Sequence, residues 1–127
     1  MKDTSDQTVA IVGSRTYKNE EELFRLMDGI YLDTLFTKIV SGGAAGADSL
    51  GAKYARIRGF TKLIIRPDWK TYGRSAGFMR NQLIVDACDF VVAFWDGKSK
   101  GTLDTLKKAE KIGKRTIIFV EGNLLDA

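Results

Sequence analysis

The sequence predicts an α/β protein built on one parallel sheet. Two observations carry this: five short apolar segments alternate with helical segments along the 127 residues, and most of the apolar segments are near-continuous hydrophobic runs, as in strands buried on both faces. A chain of this length forms a single domain, 1–127, with room for a real core.

The elements follow in order. Thr8 to Gly13 is a short apolar run ending in glycine and reads as the first strand. Glu20 to Tyr31 reads as a helix, with Leu23, Leu26, Met27 and Ile30 on one face and acidic residues in its first turn. Lys38 to Ser41 is the second strand. A helix from about Ala45 to Arg58 carries Ala47, Leu50, Tyr54 and Ile57 along one stripe, and Gly59 ends it. Thr61 to Arg66 is the third strand, stopped by Pro67, the only proline. A loop, Asp68 to Arg74, leads to a helix over Ser75–Ala87. Asp89 to Trp95 is the fourth strand, and the loop from Asp96 to Thr102 opens a helix that reaches about Ile112. Arg115 to Val120 is the fifth strand, and Glu121 to Ala127 is a peripheral tail.

Strict alternation implies right-handed crossovers and helices on both faces of the sheet. The expected strand order is 3-2-1-4-5, a Rossmann-like three-layer arrangement. In such sheets ligands lie beyond the carboxyl ends of the strands, where the order reverses between strands one and four. The loops after strands one to four all emerge on that edge.

Composition narrows the chemistry. The chain has no histidine and one cysteine, Cys88, so Ser-His-Asp triads, Cys-His dyads and imidazole metal ligation are excluded, and no metal or cofactor is expected. Cys88 ends a helix before a buried strand and reads as core. No apolar run approaches the roughly 20 residues that cross a bilayer. The polar start, Met1 to Gln7, lacks the apolar stretch of a signal peptide, and a soluble cytoplasmic protein with no membrane partner is expected. The net charge is +4, with positive residues gathered at Lys98, Lys100, Lys107, Lys108, Lys111, Lys114 and Arg115. A solvated helix face explains them, and attraction of an anion or nucleic acid is the alternative.

The octapeptide Ser41-Gly42-Gly43-Ala44-Ala45-Gly46-Ala47-Asp48 joins a strand to a helix with no bulky side chain before Asp48. Such a turn lets backbone N–H groups approach a phosphate at a helix N-terminus, or serves close packing. Asp48 either offsets the helix dipole or accepts from ribose hydroxyls. Arg15, after Gly13 and Ser14, suits bidentate phosphate binding. Trp69 and Tyr72 can stack on a base, cap the sheet edge or fill a subunit interface. Arg74, Arg80 and Asn81 surround the start of a helix, and the last two stand too deep in it for ordinary capping. Gly101 and Thr102 begin the next helix, where backbone donors and a hydroxyl suit a second anion. Thr102 equally reads as an N-cap. Asp96 and Trp95 stand at the end of strand four, Trp95 lining the pocket or covering the sheet.

Taken together, Gly13-Ser14-Arg15, Ser41-Gly42-Gly43-Ala44 with Gly46-Ala47-Asp48, Trp69 with Tyr72-Gly73, Ala76-Gly77 with Arg80-Asn81, and Gly101-Thr102 resemble the SLOG superfamily, most closely its small YspA/YpsA-related branch. The resemblance runs from Val9 to Val120. It implies a Rossmann-like fold, frequent homo-oligomers, and a pocket for nucleotides or nucleotide-derived molecules. Superfamily members include phosphoribohydrolases, sensor domains for signals such as cyclic ADP-ribose relatives, and DNA-processing proteins that bind single strands.

Two departures matter. The hydrolases of the LOG type share Gly-Gly-x-Gly-Thr-x-x-Glu, and Thr105 stands here where that catalytic glutamate would be, with Asp104 one position early. The branch often has arginine where this chain has Ala45. The leading expectation is therefore a nucleotide-binding sensor or sequestering protein, a sponge for a signalling nucleotide as antidefence would need. The alternatives are an N-glycosidic hydrolase using Asp48, Asp96 or Asp104, and a single-stranded nucleic-acid binder using the basic last helix and Trp69.

Overall fold

A computed structural model describes residues 6–125; the polar Met1 to Ser5 and the final Asp126 and Ala127 of the expected tail lie outside the described residues. The elements are β1 (Thr8–Gly13), α1 (Glu20–Thr34), β2 (Lys38–Ser41), α2 (Ala47–Arg58), β3 (Thr61–Ile64), α3 (Trp69–Tyr72), α4 (Ala76–Ala87), β4 (Phe90–Trp95), α5 (Lys100–Lys111), β5 (Arg115–Val120) and β6 (Asn123–Leu124). The sheet order is β3-β2-β1-β4-β5-β6. The first five strands pair in parallel, with Val9 opposite Ile39 on one side and opposite Phe90 on the other.

The predicted order is thus found, with one addition. The expected peripheral tail turns back as β6 and pairs antiparallel with β5, Phe119 opposite Leu124. Two strand residues are too few to show a period of two in sequence.

Alternation along the strands sorts the core into two layers. Val9, Ile11, Ile39, Val92 and Phe94 point to the face covered by α1 and α2, against Leu23, Met27 and Tyr54. Ala10, Val12, Val40, Val91 and Ala93 point to the opposite face, against Ile84 and Val85 of α4 and Leu106 and Ala109 of α5. Cys88 is buried in that second layer, as expected. Gly51 lets α2 lie directly on β1, because a Cβ there would come within 2.8 Å of Ile11 Cγ2.

Local signals explain most helix ends. Asn19 caps α1, its side chain accepting from Glu22 N–H at 3.1 Å, and Glu20, Glu21 and Glu22 face the positive helix end. α1 runs one turn beyond Tyr31 and stops at Leu35, which is left-handed with φ 54°. Gly59 closes α2 in the same conformation. The expected Asp68–Arg74 loop instead contains the single turn α3, which Asp68 caps by accepting from Thr71 N–H at 3.1 Å. No helix among the described residues is long and apolar enough to cross a membrane.

Candidate functional site

The reversal between β1 and β4 opens a cleft of about 440 Å³ beyond the strand ends. Ser14 holds its rim together. Its N–H donates to Phe94 O at 3.0 Å, and its carbonyl accepts from Tyr17 and Ala47 N–H. Its hydroxyl accepts from Asp96 N–H at 2.9 Å. The loops after β1 and β4 and the start of α2 are thereby tied to one buried residue.

The glycine loop is closed on the chain itself. Asp48 is 6% exposed, and its carboxylate accepts from Ala44 N–H at 3.2 Å and also from Gly42 N–H. Burial pushes its pKa up to about 6, against the opposing pull of Ala44 N–H, Arg80, Gly42 N–H and Arg15. Ala44 N–H, one of the donors that the sequence offered to a phosphate, is therefore turned onto Asp48, and Ala47 N–H at the start of α2 is turned onto Ser14 O. Ser41, buried beneath, donates its hydroxyl to Asp48 O at 3.0 Å. Gly46 has φ 75°, and a Cβ there would collide with the carbonyl oxygens of Ser14 and Arg15.

The opposite wall comes from α4 and α5. The Arg80 guanidinium donates to Gly42 O and, through Nε, to Asn81 Oδ1 at 3.1 Å. Burial lowers its pKa from the ordinary arginine value. Asn81 is buried and donates to Gly101 O at 3.3 Å and Asp104 Oδ2 at 3.1 Å, bracing α4 against α5. These two residues stand too deep in the helix to cap it, and their partners are the glycine loop and the neighbouring helix.

Helix α5 starts at Lys100, so Ser99 is its N-cap position and Thr102 lies in its first turn rather than capping it. Asp96 accepts from Lys98 and Ser99 N–H at 2.8 and 2.7 Å, and these bonds hold its carboxyl below the usual aspartate range. The Ser99 and Thr102 hydroxyls are 3.2 Å apart. Trp95 donates from Nε1 to Ser99 O at 3.0 Å and packs on the core, so it staples this loop rather than lining the cleft. Thr105 is buried with its hydroxyl donating to Gly101 O, and Asp104 turns to Asn81 and Lys108 instead of the cleft.

Of the predicted site residues, Gly13, Ser14, Arg15, Ala44, Asp48, Trp69, Arg74, Arg80, Asn81, Asp96, Gly101 and Thr102 line the cleft. Gly42 and Gly43 border a second concavity on the other side of the glycine loop. Ser41, Gly46 and Tyr72 line neither: the first two hold the loop from beneath, and Tyr72 lies outside on α3. Phe78, Ile84 and Ser99 are lining residues that the motifs did not single out, and Thr105, which stands in place of the hydrolase glutamate, lines the cleft as well. None of the lysines on α5 lines the cleft. Its cations are Arg15, Arg74 and Arg80, and among the described residues none of them has a carboxylate within 4 Å. The described residues hold no group of histidine, cysteine and carboxylate side chains suited to a metal.

This architecture is shared. The chain is similar to DNA processing protein A from Streptococcus pneumoniae, with a TM-score of 0.72, 19% identity, and coverage of 94% of this chain and 53% of that one. It is also similar to DNA processing protein A from Helicobacter pylori, a single-stranded-DNA-binding protein, at a TM-score of 0.68 and 20% identity over 91% of this chain and 66% of that one. A third structure, TM1055, gives a TM-score of 0.64 and 19% identity over 95% of this chain and 86% of that one. The chain spans about half of the first of these proteins and just under two thirds of the second. At such identities the likeness is one of fold. Sequence similarity is higher to Gene 61 protein of Mycobacterium phage D29, 34% identical over 118 residues that make up 87% of this chain and 94% of that protein. The model of the YspA, cpYpsA-related SLOG family matches residues 7–72, over β1 to α3 with the whole glycine loop, and the chain belongs to that family.

Proposed function

We propose that this protein binds a nucleotide or nucleotide-derived signalling molecule, ADP-ribose relatives included, in the cleft at the carboxyl edge of the sheet. One observation carries the reading: three guanidiniums, none with a carboxylate within 4 Å among the described residues, the exposed Trp69 indole and the first turn of α5 surround a 440 Å³ cleft. Ser99, Gly101 and Thr102 offer a phosphate the positive end of α5, a role the Asp48-filled glycine loop does not have free. Arg15 and Arg80 add charge, and Trp69 offers a face for a base.

The pocket favours holding over hydrolysis. Thr105 stands in place of a glutamate, Asp104 is engaged elsewhere, and Asp96 is spent on backbone N–H groups. Asp48 is the carboxylate through which an N-glycosidic hydrolase would act, and release of free base from a nucleoside monophosphate would establish that alternative. As a sensor or a sequestering protein the chain needs only affinity. We further propose that it works as a homo-oligomer, because α4 is apolar on its outer side as well as its inner one, with Met79 and Leu83 exposed.

Isothermal titration against nucleoside mono- and diphosphates and ADP-ribose derivatives tests the binding reading. Affinity in the micromolar range is the expected result, and an absence of binding below millimolar concentrations would overturn it. Single-stranded DNA binding is the second reading, favoured by the arginines and Trp69. It predicts affinity that grows with strand length and falls steeply with salt.

A further inference from the structure

A second concavity of about 360 Å³ lies across the crest of the glycine loop from the main cleft. Arg15, Ala44, Trp69 and Arg80 border both, so the two are continuous over the loop. The second holds a cation the first lacks. Arg66 leans against the loop with Nη1 3.5 Å from Gly43 O, and a Cβ at Gly43 would come within 2.9 Å of that nitrogen. A Cβ at Gly42 would likewise press on Arg80 Nη1 from the other side, at 2.5 Å. The paired glycines thus let two guanidiniums close on one strip of backbone. Arg66, like the cleft arginines, has no carboxylate within 4 Å among the described residues.

On the cleft side of the loop stands a buried carboxyl, Asp48, which lines the main cleft and not the second concavity. Asp48 is held under the crest by Ala44 N–H, where it occupies the place an anion would otherwise take. Two adjacent phosphates spanning the crest would meet Arg15 and Arg80 together with that carboxyl, whereas two phosphates set apart reach Arg74 in the cleft and Arg66 in the second concavity as well.

We propose that the site takes a nucleotide whose two phosphates are separated by its sugar, one phosphate seated in the cleft and the other against Arg66 in the second concavity. This rests on the nucleotide reading above and narrows it from pyrophosphates to nucleotides phosphorylated at two sugar positions, whether free or as a unit of a strand.

Adenosine 3′,5′-bisphosphate and ADP are isomers that differ in phosphate placement, which makes them the discriminating pair. Both are titrated with AMP into the wild-type protein and into Arg66→Gln, an exposed position where folding is not at stake. A guanosine series is run in parallel. The bisphosphate is expected to bind at least tenfold more tightly than ADP or AMP, and Arg66→Gln to reduce it to the AMP level with AMP itself unchanged. A decanucleotide separates the two sources, since affinity beyond that of the bisphosphate assigns the unit to a strand and equal or weaker affinity to a free nucleotide. ADP matching the bisphosphate, or an Arg66→Gln protein that keeps the bisphosphate's advantage, would overturn the proposal and leave the nucleotide reading standing. Failure of all the nucleotides to bind the wild type would remove both.

Discussion

The carboxylate of Asp48 accepts a hydrogen bond from the N–H of Ala44 at 3.2 Å, four residues earlier in the chain, and so fills the glycine loop with an anion of its own. A segment that reads in sequence as a phosphate cradle is in the folded protein a loop closed on its own carboxylate. On the reading proposed here, the phosphates fall to the arginines and to the first turn of α5.

That arrangement makes stability depend on pH in a particular direction. The pKa of Asp48 rises from 3.8 to about 6 on folding, chiefly through burial. The folded state then holds the proton more tightly than the unfolded one. Stability is fully present below about pH 4, declines as pH rises toward 6, and is level above it. The shift corresponds to about 3 kcal/mol at most. Asp48→Asn keeps an acceptor for Ala44 N–H and removes the buried charge. It is expected to be about 1–3 kcal/mol more stable than wild type at pH 8, with the gap closing as the pH falls to 4. Urea denaturation across that range measures it. A variant less stable than wild type at pH 8 would mean that the ionised carboxylate's bonds to the loop outweigh its burial.

Two glycines of the site separate folding from binding. Gly46 has positive φ and no room for a Cβ beside the Ser14 and Arg15 carbonyls. Gly46→Ala is expected to cost about 2–4 kcal/mol, since both backbone strain and a clash with main chain oppose it. Gly101 is exposed in the first turn of α5, with no atom within 4 Å of the point a Cβ would occupy. Gly101→Ala should leave the melting temperature unchanged or slightly raised, because alanine is the better helix former. Its effect belongs to the ligand: affinity for a mononucleotide is expected to fall severalfold. Calorimetry and titration on the same two variants check both halves. Equal nucleotide affinity in Gly101→Ala would count against a phosphate at this helix end.

The parts legible in the sequence are those with a long period or a dense motif. Apolar runs of four to six residues between amphipathic helices yield five parallel strands in the observed order, and the loops after β1 to β4 supply most of the cleft lining. Short elements escape. α3 is a single turn fixed by the Asp68 cap, and β6 is two residues held by pairing with β5, so neither carries periodicity. Arg66 reads as the end of a strand, and only the fold shows it leaning on Gly43. Phe78 and Ile84 become lining residues through the placement of α4 beside the cleft, a relationship between elements that no local pattern encodes. Ser41 and Asp48 do belong to the loop, as their motif indicates, but their partners are each other and the loop backbone.

Asn81 ties the two helices that form the far wall. It accepts from Arg80 Nε and donates to Gly101 O and Asp104 Oδ2 from a buried position. Truncation to alanine strips a partner from each of these groups, and a loss of about 1–3 kcal/mol in stability is expected. Asn81→Asp should be worse, because it sets a second carboxylate against Asp104 where an amide now donates. Adding Asp104→Asn to that variant restores a donor to the pair and should recover part of the loss, which a double-mutant cycle in urea reads directly. No recovery would show that the pairing between α4 and α5 does not run through these side chains.

Trp69 offers the most direct readout of occupancy. Its side chain is 53% exposed at the join of the two concavities and packs beside Gly77, whereas Trp95 is engaged with Ser99 O. A base stacking on the indole quenches Trp69 and leaves Trp95 largely untouched. Nucleotide addition is therefore expected to lower tryptophan emission in wild type and in Trp95→Phe, but not in Trp69→Phe. Removing the ring with Trp69→Ala should weaken binding by about 1–3 kcal/mol, the usual worth of one base on one aromatic face. Stability should hardly change, because half of the side chain already faces solvent. Saturable binding by titration with no quenching of Trp69 would place the base elsewhere in the cleft, beside Phe78, and leave the phosphate contacts to Arg15, Arg80 and the first turn of α5.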